Sequence, residues 1–215
     1  MIAVVDYKAG NLTSVVKALR AVGADVLVTE SAAEVASAER IVLPGVGHFA
    51  ATRRLDDLGI TEAIRAAIQR GIPFLGICVG MQWLLEGSAE ASEQPGIGYF
   101  RGKCERFPDG GEKVPHVGWN QILARTEPSP TRLLAGVEQN AFAYFTHSYF
   151  VPASNFRRSS DPKHLKNGTA AVTHYIETFA SAVEHENVMG VQFHPEKSGE
   201  IGLRILRNFL EWTPC

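Results

Sequence analysis

The chain is 215 residues long, 45% hydrophobic and 20% charged, with a formal net charge of −2; this is the composition of an ordinary globular domain, and the near-neutral balance gives no reason to expect nucleic acid or an anionic membrane surface as a partner. Its three cysteines (Cys78, Cys104, Cys215) are scattered, which excludes a disulfide framework and points to a reducing, cytoplasmic setting. No Cys/His spacing suggests zinc, so no metal or other cofactor is expected, and no apolar run is long enough to span a membrane.

Ile2 to Tyr7 reads as a first strand, entered from Met1 without a basic segment, so no secretory leader is predicted. A helix follows from Asn11 to about Val22, with Val15, Val16, Leu19 and Val22 as its apolar stripe and Gly23 as its C-terminal stop. Asp25–Thr29 is a second strand, and Ser31-x-x-Glu34 is a capping-box pattern that starts a second helix. Arg40–Leu43 is a third strand ending in the turn Pro44-Gly45-Val46-Gly47. A charged loop then leads to a helix over Thr61–Arg70, stopped by Gly71. Alternating strands and helices of this length predict a parallel sheet with helices on both faces, its chemistry beyond the carboxyl ends of the strands.

The next stretch, Ile72 to Gln82, reads as a buried strand, a sharp turn at Cys78, and a helix from Val79 to about Glu86. Gly76-x-Cys78-x-Gly80 has the spacing of a nucleophile elbow with Cys in place of Ser. Small neighbours allow a strained tip, which is expected to push the side chain toward solvent. The positive end of the helix would favour a thiolate. The alternative is a cysteine simply buried in an apolar strand; the flanking glycines favour the nucleophile.

After Glu90 the strands become short and irregular: Gly102–Phe107, Val117–Ala124, Ala141–Val151, Ala170–Tyr175, Phe179–Glu184 and Val188–Phe193, with antiparallel or mixed pairing expected. Ser154–Asn167 is polar and basic and is predicted to be a mobile loop; a last helix runs from about Glu200 to Trp212, burying Ile201, Ile205, Leu206 and Phe209. No linker, repeat or second domain is evident, so residues 1–215 are expected to form one domain.

A cysteine nucleophile needs a base. His194 stands at a strand end and precedes Pro195-Glu196. In an extended segment His194 and Glu196 share a face, so the carboxylate can hold the imidazole tautomer and stabilise the imidazolium. The alternative is a surface His-Pro-Glu turn. Backbone donors for an oxyanion are available from Val79, after the nucleophile, and from Val46 and Gly47 in the glycine-rich turn, unless that turn is only a tight connection.

Gly76-Ile-Cys78-Val-Gly-Met-Gln82 and Phe193-His194-Pro195-Glu196 resemble the signatures of class I glutamine amidotransferases. Asp6-Tyr7, Gly10-Asn11-Leu12, Pro44-Gly45-Val46-Gly47-x-Phe49, Pro115-His116-Val117-Gly118-Trp119-Asn120, Phe145-x-His147-Ser148-Tyr149 and Glu196-Lys197-Ser198 are similar to the glutaminase subunits of imidazole glycerol phosphate synthase, over nearly the whole chain. The resemblance implies a flavodoxin-like fold: an open, mostly parallel (mixed) sheet flanked by helices, with a nucleophile elbow. It implies hydrolysis of glutamine through a thioester by a Cys78-His194-Glu196 triad. The ammonia would be delivered to a cyclase subunit, a (β/α)₈ barrel, in a heterodimer serving histidine biosynthesis.

Gln82, Glu90, His147, Ser148 and Tyr149 match substrate-contact positions, and Asn11, Trp119 and Lys197 match positions at the cyclase interface. Each has a plainer reading. Glu90 is otherwise a solvated acid, His147 a satisfied core histidine, Trp119 a core residue and Lys197 a surface charge. The sequence departs from the family at Val79, at Tyr175-Ile176 and in the length of the Ser154–Asn167 loop. Other readings are a class I glutaminase serving another synthase, a non-catalytic docking relative, or a cysteine peptidase. The flexible Gly45-Val46-Gly47 peptide suggests a subunit poorly active alone, whose oxyanion turn is ordered by cyclase docking through Lys197 and Trp119.

Overall fold

The computed structural model describes residues 1–9, 12–126, 131–156 and 168–213. Asn11, and residues 157–167 of the predicted mobile loop, lie outside the described residues. The N-terminal half follows the apolar patterning closely. β1 (Ile2–Val5) is wholly buried, α1 (Leu12–Ala21) buries Val15, Val16 and Leu19, and β2 (Val26–Thr29) follows. Gly23, at φ 91°, accepts the left-handed conformation that ends the helix.

The capping box on α2 (Ala32–Ser37) is only half made. Ser31 Oγ accepts the Glu34 N–H at 3.4 Å, but the Glu34 carboxylate turns to the Thr29 hydroxyl, whose oxygen takes the Ser31 N–H at 2.8 Å. β3 (Arg40–Gly45) continues two residues past the predicted end; Pro44 lies beyond Val42, the last residue paired with β1.

The charged stretch expected to be a loop instead holds a 3₁₀ turn at Phe49–Thr52 and α3 (Arg53–Asp57). Buried Phe49 and Leu55 anchor it to the core, a contribution that the surrounding charges mask in the sequence. α4 (Ile60–Gln69) buries Ile60, Ala63, Ile64, Ala67 and Ile68. β4 (Phe74–Cys78) is buried throughout and runs into α5 (Val79–Gln82).

α5 is a single turn, shorter than predicted. The carbonyls of Trp83, Leu84 and Leu85 accept the N–H groups of Ile97, Phe100 and Gly98, so they are not available to a continuing helix. That exchange requires Gly96, where a Cβ would come within 2.1 Å of the Leu85 carbonyl oxygen. The remaining elements are β5 (Gly87–Ser88), β6 (Lys103–Arg106), β7 (His116–Ala124), β8 (Ala141–His147), β9 (Tyr149–Phe150), β10 (Thr169–His174), β11 (Thr178–His185), β12 (Val188–Val191) and α6 (Gly199–Glu211).

Among the described residues nine strands form one mixed sheet in the order β2-β1-β3-β4-β12-β11-β10-β7-β8. The five from β2 to β12 pair in parallel, and the rest are antiparallel. β5, β6 and β9 form a small second sheet. Gly45 of β3 lies opposite Cys78, and Val191 of β12 opposite Ile77, so three carboxyl ends meet at one point of the parallel half. An open parallel sheet carries ligand chemistry at such a place.

Candidate active site

Cys78 is the tip of the strand-to-helix turn, with φ 54° and ψ −108°. A non-glycine residue there holds backbone strain of roughly 1–3 kcal/mol that the surroundings must enforce. Two glycines do so by permitting backbone-to-backbone contact. A Cβ on Gly76 would lie 2.4 Å from the Gly80 carbonyl oxygen, and one on Gly80 would lie 1.9 Å from that of Leu43. Gly80→Ala is therefore expected to cost roughly 3 kcal/mol or more, seen as a lowered denaturation midpoint. A melt within 1–2 °C of the parent would contradict this packing.

The sulfur is not pushed into solvent as the sequence suggested: Cys78 is only 4% exposed. It sits at a cavity of about 130 Å³ lined by Val46, Gly47, Cys78, Val79, Gln82, Glu90, Thr146, His147, Ser148 and Tyr149. Because α5 is one turn long, few peptide dipoles align on the sulfur, so support for a thiolate has to come from side chains.

His194 supplies part of it. Its backbone N–H donates to the Tyr144 carbonyl at 2.9 Å, and its own carbonyl accepts the Ser198 hydroxyl at 2.7 Å. Pro195–Lys197 forms a 3₁₀ turn. His194 and Glu196 are thus brought together by a turn and not by strand alternation, which corrects the extended geometry assumed from sequence. The imidazole Nδ1 lies 2.8 Å from Glu196 Oε1, with side-chain exposures of 1% and 4%. Burial alone would lower the His194 pKa, but Cys78 and Glu196 beside it outweigh burial and push it up to about 9. Nε2 is buried and has no hydrogen-bond partner among the described residues. At neutral pH His194 therefore rests as imidazolium, beside Cys78.

The backbone donors divide. The Val79 N–H belongs to the first turn of α5, where no helical acceptor exists. Gly47, at φ 123°, has the freedom expected of the turn. The Val46 N–H instead donates to the Ala9 carbonyl at 3.1 Å, so that donor is engaged outside the cavity.

All five predicted substrate-contact residues line the cavity. Glu90 is no free acid, since its Oε2 accepts the Phe49 N–H at 2.8 Å and ties the cavity wall to the segment after Gly47. His147 is buried and paired. Its Nδ1 faces the Tyr149 carbonyl at 2.8 Å and its Nε2 faces His116 Nδ1 at 3.2 Å, while His116 Nε2 faces Asn120 Nδ2 at 3.3 Å. A carbonyl only accepts, so Nδ1–H of His147 donates to it, His116 Nδ1–H donates to His147, and the Asn120 amide donates to His116. Both rings are neutral in that chain, in keeping with burial, which lowers His147 to about 3 and His116 to about 4.

Sequence reasoning missed Gln192. It is fully buried and its Nε2 donates to Cys78 Sγ at 3.5 Å. The available signal was its position two residues before His194 in the stretch Val188–Phe193 expected to be a strand, where residues two apart share a face; β12 itself ends at Val191.

Trp119 is 55% exposed, which excludes the core reading. Its ring meets Tyr144 at 6.0 Å, and exposed Lys197 holds its Nζ 5.5 Å over the Tyr144 ring. Val117 and Phe142 are as exposed as Trp119 and share that face of β7 and β8, which leads to Thr146 at the cavity. Among the described residues no group of three or more His, Cys, Asp or Glu is placed to hold a metal. No helix among them is long and apolar enough to cross a membrane.

Comparison with known proteins gives the family of the chain. Residues 3–212 match the model of the family described as glutamine amidotransferase class-I. The imidazole glycerol phosphate synthase subunit HisH of Thermosynechococcus vestitus is 44% identical over 211 residues, covering 97% of this chain and 95% of the relative. That of Caldanaerobacter subterraneus subsp. tengcongensis is 42% identical and covers both chains fully. Among solved structures, a glutamine amidotransferase superposes with a TM-score of 0.71 at 19% identity, covering 98% of each chain. PurLQS from Thermotoga maritima does so with 0.69 at 18% identity, covering 97% of this chain and 96% of that one. The chain belongs to the class I glutamine amidotransferase family and, within it, groups with the HisH subunits of imidazole glycerol phosphate synthase.

Proposed function

We propose that Cys78, His194 and Glu196 are the catalytic triad of a glutaminase that supplies ammonia for imidazole glycerol phosphate formation in histidine biosynthesis. The observation that carries this is the buried 2.8 Å contact of His194 with Glu196, set beside a strained elbow cysteine at a cavity of small-amide size.

The chemistry follows from those groups. The Cys78 thiolate attacks the side-chain amide carbon of glutamine, and the tetrahedral oxyanion forms against the Val79 and Gly47 amides. The His194 imidazolium gives its proton to the departing nitrogen, so ammonia leaves and a thioester remains. Neutral His194 then takes a proton from water, the hydroxide equivalent opens the thioester, and glutamate leaves with the thiolate restored. Gln82, Glu90, Ser148, Tyr149 and His147 shape the glutamine site around this axis. A free-thiol nucleophile suits a reducing cytoplasm.

Ammonia protonates in bulk water, so its transfer calls for a closed complex. The apolar face of Val117, Trp119 and Phe142, with Lys197 beside it, is the surface we assign to a cyclase partner with a (β/α)₈ barrel. The Val46 amide is held by Ala9, two residues before Asn11, a position the family resemblance puts at that partner. Docking that draws on this segment would release the amide into the cavity. One oxyanion donor is worth about 10²–10³ in rate. Glutamine turnover is therefore expected to rise by roughly that factor when the cyclase and its ligand are added. Ammonia release measured with and without them tests this, and equal rates would refute it.

A further inference from the structure

The sulfur has a second buried polar neighbour that the triad does not use. Gln192 leaves the end of β12 and reaches the back of Cys78, and the orientation of its amide follows from its partners. Gln82 Nε2 lies 2.9 Å from the Tyr149 carbonyl and 3.0 Å from Gln192 Oε1. The Tyr149 carbonyl accepts only, so the Gln82 atom facing it must be the amide nitrogen. The second hydrogen on that nitrogen then points at Gln192, which must answer with its oxygen. Its own NH₂ is left toward the sulfur.

We infer that Gln192 is a further catalytic residue, donating Nε2–H to the Cys78 sulfur and stabilising its thiolate during attack, with Gln82 as the positioning residue that fixes this orientation. A donor to the charged form favours that form, and in a dry site the effect is larger than in water. The other titratable groups around the sulfur do different work. His194, with Glu196 behind it, exchanges protons with substrate. Tyr7, at the end of β1, is buried with a hydroxyl that has no partner among the described residues, and burial holds its phenol above its ordinary value. Cys104 of β6 is a buried thiol also held up by burial. Glu90 and His147 stand across the cavity, occupied by the Phe49 N–H and the Tyr149 carbonyl. Gln192 does not titrate, so its hydrogen bond persists across the pH range in which the thiolate forms. It also needs no helix dipole to help it, which suits the single turn of α5.

The inference rests on Cys78 being the nucleophile, and the test separates the two. The intact chain, without glutamine or partner, is alkylated with iodoacetamide from pH 6 to pH 9, with Cys104 as the internal reference. Gln192→Met keeps length and volume but has no donor. Its Cys78 is expected to react about tenfold more slowly at neutral pH, with the profile moved to higher pH. Gln82→Met, which leaves the Gln192 amide free to flip, should show a smaller change in the same direction. Superimposable profiles for Gln192→Met and the parent would overturn the inference. If Gln192→Met does not fold, the parent protein still decides. The Gln192 side-chain NH₂ resonance should shift when Cys78 is alkylated, and a resonance that ignores the alkylation would overturn the inference equally. A Cys78 no more reactive than Cys104 would instead sink the reading of the active site.

Discussion

Cys78→Ala is expected to lower glutamine hydrolysis by roughly 10⁴-fold or more, because no other nucleophile lining the cavity sits at the elbow beside His194. The remaining donors and His194 still bind the amide, but attack would fall to water without a covalent step. If ammonia is fed directly to the assembled synthase, product should still form, since only the source of ammonia has been removed. Alanine keeps the strained φ of 54° at the elbow, so this variant should fold without relief. Cys78→Gly should be equally inactive but more stable than Cys78→Ala. Relief of strain exceeds the extra backbone entropy of glycine by about 1 kcal/mol. Paired assays of ammonia release and thermal melting read both effects. Glutamine hydrolysis by Cys78→Ala within tenfold of the parent would remove the nucleophile from the scheme.

Much of this site was legible in the sequence because its signals are local. The elbow is a five-residue pattern of backbone sterics, and the structure meets it with contacts no larger residue would allow at Gly76 and Gly80. The apolar runs marked the buried parallel strands, since a strand covered on both faces has no alternation to misread. What escaped depends on distant partners. α5 ends early because amides from residues 97–100 take the carbonyls of Trp83, Leu84 and Leu85 just past it. α3 hides because Leu55 is its only fully buried residue among charges. The orientation of the Val46 peptide is set by Ala9, far away in sequence, and Gly47 beside it leaves that choice open. His194 and Glu196 were paired in the sequence from a different local geometry: His194 is extended, but Glu196 sits in the 3₁₀ turn that follows it. The position of Gln192 two residues before His194 was open to reading, but its role is decided by which way Gln82 faces.

Glu196→Gln tests the electrostatics of the pair, and its effect is expected to be roughly 10²–10⁴ in turnover. The carboxylate does two things. It accepts from Nδ1–H at 2.8 Å, which fixes the ring and leaves Nε2 for the reacting groups, and it helps hold the proton up to about pH 9. An amide at this position can offer its NH₂ to Nδ1 and trap the ring in the other tautomer, with the wrong nitrogen protonated. It also removes a negative charge that favours imidazolium, so the proton leaves at lower pH. The proton acceptor and donor here are coupled, and the profile reports the Cys78–His194 pair as a unit. Departure of ammonia needs the protonated ring, so the alkaline limb of the glutaminase profile is expected near pH 9 in the parent. In Glu196→Gln it should move toward neutral pH. The sign for stability is the same: a histidine whose folded pKa is raised contributes below its unfolded value near 6.5 and loses that contribution as pH rises toward 9. Glu196→Gln should therefore be less stable than the parent at pH 6, with the gap closing by pH 9.5. An alkaline limb unmoved by the substitution would mean that Glu196 orients His194 without tuning its proton.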